Sequence, residues 1–181
     1  IRFFENEQNE KFNLEVSIVQ LNISQIEKNK AINSEERMQE ISNILNNNYS
    51  DIIIFAENDL PYFIKELKDL NFLKEQLNDN QSLIIGAIRK LNSKFYNTFL
   101  FIEKKQIQEF HKVKLVPFGE FLPFRELLFF LQPIVGNHDF SSGKKNRLIN
   151  VSNNLSIIPI ICYEIIFSKI LLNKNNANSN L

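Results

Sequence analysis

The run Asp51-Ile-Ile-Ile-Phe-Ala-Glu57 constrains this chain more than any other stretch, because a short, unbroken apolar run is a strand covered on both faces. Such a strand needs a sheet beside it and helices over it. Leu14 to Asn22, with Val16, Ile18 and Val19, reads as an earlier buried strand. Between them, residues 32–47 carry Ile32, Met38, Ile41, Ile44 and Leu45 at helical spacing, with Ser34 and Glu36 near the start, which predicts an amphipathic helix on a sheet. Pro61 to Leu77 reads as one or two further helical segments.

From Ser82 the pattern changes. Ser82 to Lys90 and Phe95 to Glu103 flank the turn-forming Leu91-Asn-Ser-Lys94, which predicts a β-hairpin, and Gln106 to Phe110 supplies a third short strand. Pro123 to Leu131 reads as a short helix and Pro133 to Lys145 as a loop. Leu148 to Val151 and Ile157 to Cys162 read as strands. The expected fold class is therefore α/β, with helices layered on sheet in a sandwich. Residues 14–172 form the expected domain, between an N-terminal segment (1–13) and a polar tail (173–181). No internal repeat or linker divides it.

Composition narrows the function classes. At 181 residues and 44% hydrophobic the chain can bury a substantial core, and 21 basic residues balance 21 acidic ones, so it lacks the basic field that nucleic-acid binding requires. One cysteine excludes an internal disulfide framework and a multi-cysteine zinc site. No apolar run approaches the roughly 20 residues of a membrane-spanning helix.

Three chemically distinct groups then stand out: Glu57 after its strand, Lys112 in an alternating segment, and Cys162 at the end of Ile157-Ile-Pro-Ile-Ile-Cys162. Each has a structural reading. A lone cysteine is commonly a small buried hydrophobe, Glu57 could cap a helix, and a lysine in an alternating strand faces water. Together they meet the needs of acyl transfer: a thiol nucleophile, a carboxylate base to make thiolate, and a cation for the oxyanion. His111 and His138 leave a Cys-His arrangement open, although His111 beside Lys112 in a strand points to the opposite face.

The order and approximate spacing of Glu57, Lys112 and Cys162 resemble the Glu-Lys-Cys triad of the carbon-nitrogen hydrolase (nitrilase) superfamily. Lys112-Val-Lys-Leu-Val-Pro-Phe-Gly-Glu120-Phe-Leu-Pro123 is similar to a segment specific to the bacterial apolipoprotein N-acyltransferase family. Ile161-Cys-Tyr-Glu-Ile165 resembles that family's nucleophile motif, and Val16-Ser-Ile-Val-Gln-Leu-Asn-Ile23 its first catalytic-domain strand. The family's Trp-Pro-Glu is Phe55-Ala-Glu57 here.

The resemblance implies a nitrilase-like α-β-β-α sandwich, C-terminally incomplete, with Cys162 as nucleophile, Glu57 as general base and Lys112 as oxyanion stabiliser. Glu120 becomes a second acid in the pocket, Glu164 a further required acid, and Tyr163 a supporting neighbour. It implies a phospholipid acyl donor, the N-terminal amine of a lipid-modified lipoprotein as acceptor, and no metal or organic cofactor. The implied setting is the periplasmic side of a bacterial inner membrane, reached through helices absent from this sequence. Phe118, Phe121 and Phe124 could line an acyl-chain entrance or simply pack a helix onto the core. A soluble nitrilase-like amidase and an inactive remnant of a split or decaying gene are the alternatives. On this reading Lys112→Ala is nearly silent in folding and severe in catalysis.

Overall fold

The computed structural model describes residues 13–24, 34–123, 139–144, 148–152 and 155–167, and these fall into two compact units. The first takes in the described residues of 11–90 and 98–109; the second takes in 91–97 and those from 110 onward.

The first unit holds most of a sheet whose strands are β1 (Val16–Ile18), β2 (Ile52–Ile54), β3 (Phe63–Ile64), β4 (Ser82–Leu91), β5 (Lys94–Glu103) and β6 (Ile107–His111), in the order β1-β2-β4-β5-β6 with β3 also on β4. The pairing of β1 with β2, β2 with β4 and β3 with β4 is parallel. Between β1 and β2 runs α1 (Ser34–Asn47), which buries Ile41 and Leu45 one turn apart and carries Glu35 and Glu36 at its positive N-terminal end. The core gathers Ile53 and Phe55 of the central run, Leu83, Ile85 and Ala87 of β4, and Leu100 and Ile102 of β5.

The hairpin forms as the sequence predicts: β4 and β5 are joined by Asn92-Ser93, with Asn92 in the left-handed conformation that two-residue turns demand (φ 54°). Three other expectations change. The first strand is three residues long and is not buried, since β1 lies at the sheet edge with Ile18 82% exposed. The 61–77 stretch is not all helix. It opens with β3, followed by a 3-10 turn (Leu67–Leu70) and the short α2 (Asn71–Gln76), because pairing with β4 overrides local propensity. Finally, β2 stops at Ile54, well short of Glu57.

In the second unit, β7 (Ile149–Ser152) and β8 (Leu155–Ile157) pair antiparallel, with the buried Ile149 opposite the buried Ile157. The strand expected over Ile157 to Cys162 ends at its first residue. Pro159 has no N–H for a ladder, and from Cys162 to Ile166 the chain winds into a 3-10 helix. The expected helix after Pro123 and most of the following loop, with Phe124 and His138, lie outside the described residues.

Candidate active site

Glu57 belongs to the first unit, where the chain leaves the sheet after β2 and returns to the same side of β4 as β3. Ile54 pairs with Ile84 and Phe63 with Ile88, so the intervening turn spans the middle of β4, at Gly86. The Gly86 N–H donates to the Ala56 carbonyl (3.2 Å), and the Leu60 N–H donates to the Gly86 carbonyl (3.2 Å). Inside the turn the Ala56 N–H donates to Asp59 Oδ2 (2.8 Å), and Asn58 takes a left-handed φ of 56°. A Cβ on Gly86 would stand 2.6 Å from both Glu57 Cα and Asn58 N. Absence of a side chain at position 86 is thus what lets the Glu57 backbone lie on the strand.

In the second unit, Lys112 is not in an alternating strand. β6 ends at His111, whose ring stacks on Tyr96, and the Lys112 side chain turns into the interior, 1% exposed. Its ammonium donates to Glu120 Oε1 at 2.9 Å. The same oxygen accepts the Asn97 Nδ2 amide (2.8 Å), while Glu120 Oε2 accepts the Val116 N–H (2.9 Å). Main-chain bonds brace the arrangement: Lys112 N–H to Asn97 carbonyl, Gly143 N–H to Lys112 carbonyl and Phe140 N–H to Glu120 carbonyl, each 2.8 Å. A Cβ on Gly143 would run into the His111 backbone, so 139–143 also needs its glycine to approach.

Burial of this ion pair corrects one expectation. Removing one partner of a buried pair strands the other charge in the interior, at a typical cost of about 3–5 kcal/mol. Lys112→Ala is therefore expected to cost folding stability.

Cys162 opens the 3-10 helix with a positive φ of 49° and is exposed. A non-glycine residue there is strained by about 1–2 kcal/mol, and the turn persists because it is held from outside. Glu164 holds it. Its carboxylate is 1% exposed, with Oε2 accepting the Ile161 N–H at 3.1 Å and Oε1 accepting the Val113 and Lys114 N–H groups at 2.7 and 2.9 Å. One buried side chain thereby ties the backbone before Cys162 to the backbone after Lys112. Lys114 is exposed, with its ammonium 5.7 Å from the Phe167 ring, which Tyr163 meets edge-on.

The structure thus brings Lys112, Glu120, Glu164 and the Cys162 turn together in one unit and presents Glu57 on a pinned turn in the other. Phe118 is half-exposed at a positive φ of 62°, and Phe121 is partly buried. Asn97, Gly86 and Gly143 were not found from sequence. Asn97 carried only the signal of a polar residue inside the apolar hairpin strand Phe95 to Glu103.

The carbon-nitrogen hydrolase family matches residues 15–178. The chain is 37% identical over 129 residues to an apolipoprotein N-acyltransferase of Rhizobium leguminosarum, and 33% identical over 129 residues to one of Rhizobium rhizogenes; each match covers 65% of this chain. Both alignments take in 24% of the relative, so the chain spans about a quarter of the length of these relatives. Among solved structures, a carbon-nitrogen hydrolase superfamily protein of Xanthomonas campestris superposes with a TM-score of 0.56 at 15% identity, over 85% of this chain and 55% of that one. The likeness is one of α/β fold.

Proposed function

The chain belongs to the carbon-nitrogen hydrolase family, and from that premise we propose that it is an N-acyltransferase domain that moves a phospholipid acyl chain through a Cys162 thioester to a lipoprotein's N-terminal amine. The observation that carries this reading is the shared anchorage of the lysine loop and the cysteine turn on Glu164, which keeps a buried ammonium and an exposed, strained thiol in one unit. The names of the relatives supply the substrate class.

In the proposed sequence Glu57 takes the Cys162 proton, and the thiolate attacks the ester carbonyl of the phospholipid. Negative charge develops on the carbonyl oxygen, where the Lys112 ammonium stabilises it. Collapse breaks the ester C–O bond, and the leaving alkoxide takes the proton from Glu57 as lysophospholipid departs. The acceptor amine then attacks the thioester, gives a proton to the Glu57 carboxylate, and expels the thiolate as the amide forms; Glu57 passes that proton to the Cys162 sulfur. Every proton is returned, so the cycle needs no cofactor. Glu120 pairs with Lys112 and orients it, and Tyr163 stands beside the nucleophile. Phe118 and Phe121 contact the acyl chain, and the reaction takes place on the periplasmic face of an inner membrane. Among the described residues no helix is long and apolar enough to cross a membrane.

The test supplies the protein with vesicles of a phospholipid carrying a fluorescent acyl chain and with a peptide whose N-terminal cysteine bears a diacylglyceryl group. Label on the peptide amine is the expected result. Hydrolysis of small amides with no label transferred identifies an amidase instead, and a folded protein that does neither is an inactive remnant.

A further inference from the structure

We infer that Asn97 is a positioning residue for the proposed reaction, fixing the Lys112–Glu120 pair from both of its ends at once. The inference rests on the function proposed above and concerns a residue outside the Glu-Lys-Cys set.

Asn97 is 2% exposed, at the point where β5 passes Lys112. Its carbonyl accepts the Lys112 N–H, which fixes where the lysine leaves the main chain (2.8 Å). Its side-chain amide donates to the Glu120 oxygen that also accepts Lys112 Nζ, which fixes the far end of the same side chain (2.8 Å). An ammonium on a four-carbon stem loses a large rotamer entropy when held, and a counter-ion free to swing holds it poorly. Two donors on one carboxylate oxygen, with the Val116 N–H on the other, leave Glu120 a single orientation. Asn97 touches no reacting atom in this scheme. It acts through Glu120 on Lys112.

The amide also has a specific chemistry. An aspartate at 97 matches it in shape yet sets a second carboxylate against Glu120, and two such groups cannot both be charged without conflict. With Glu120 already bonded to the Lys112 ammonium, the proton is expected on the new aspartate, which in that form again offers Glu120 an O–H donor. A leucine at 97 offers no donor at any pH. The charged and titratable groups around position 97 are Glu120, Lys112 and the Tyr96–His111 stack, with Asp139 bonded to the Leu122 N–H and Glu164 to the 113–114 backbone. Glu120 and its partner Lys112 meet the changed side chain directly, so the pH-dependent difference between the variants is theirs; the other groups are common to wild type and both variants, and their own contribution cancels in the comparison.

The experiment measures thermal unfolding from pH 4 to pH 8 for the wild type, Asn97→Asp and Asn97→Leu. A folded-state pKa raised above the unfolded value gives stability that is present at low pH and lost as pH rises through the folded pKa. The expected result is that Asn97→Asp lies near the wild type at the acid end and falls away from it toward neutrality, while the Asn97→Leu deficit stays constant. An Asn97→Asp deficit as flat as that of Asn97→Leu, or no deficit in either variant, overturns the assignment. Acyl transfer is followed in parallel. The Asn97→Asp rate relative to wild type should rise on acidification, by up to about tenfold per pH unit above the shared pKa, with KM unchanged; a ratio independent of pH removes the positioning role. A wild type that transfers no acyl chain defeats the proposed function alone, and the unfolding profiles then decide the Asn97 assignment.

Discussion

At the residue scale, two side chains hold positions that cost stability. Cys162 has a φ of 49°, a conformation that glycine adopts freely and that a Cβ opposes. Cys162→Gly is therefore expected to be more stable than Cys162→Ala by about 1 kcal/mol in denaturant unfolding, while both lack the proposed nucleophile. Equal stabilities would mean that the turn stores no strain. Lys112 is the second case. Lys112→Ala should lose about 3–5 kcal/mol by stranding Glu120, and Lys112→Met combined with Glu120→Gln should recover most of that loss without activity. A double variant no more stable than Lys112→Ala would argue against a buried pair. The sequence marked Lys112 as chemically distinctive but placed it in an alternating strand, because burial of an ammonium depends on partners that lie 8 and 15 residues away, at Glu120 and Asn97.

At the scale of elements, the site depends on close backbone approaches. Gly86→Ala places a methyl 2.6 Å from Glu57 Cα, so the turn must move off β4. The expected outcome is a loss of about 1–3 kcal/mol in denaturant unfolding together with a fall in acylation rate. Retained stability and rate would show that the turn does not need Gly86. Glu164→Gln turns one acceptor of the clamp into a donor facing an N–H group, at about 1–3 kcal/mol. Hydrogen exchange should then quicken at Ile161, Val113 and Lys114 before the rest of the unit. Exchange unchanged at all three amides would show that the carboxylate is not what ties the two loops. Elements that specify themselves were legible in the chain: α1 from its apolar spacing, and the β4–β5 hairpin from its turn. Those made by distant pairing were not. β3 is two residues long and exists through its register with Ile88 and Arg89, while the apolar run before Cys162 reads as strand until Pro159 and the Glu164 clamp are considered.

For the whole molecule, the α/β class and the family were readable because a helix, a covered apolar strand and a hairpin in that order leave few alternatives, and because the lysine and cysteine segments carry family-specific neighbours. The supporting bonds were not readable, since Asn97, Gly86 and Gly143 act through atoms common to every residue or through a plain amide. The proposed function turns on whether Cys162 carries an acyl group. The direct measurement is the intact mass of the purified protein after incubation with phospholipid vesicles and no acceptor. The expected result is one adduct of the acyl mass, released by hydroxylamine and absent from Cys162→Ser. A folded protein with no adduct, or an adduct that persists in Cys162→Ser, would contradict it.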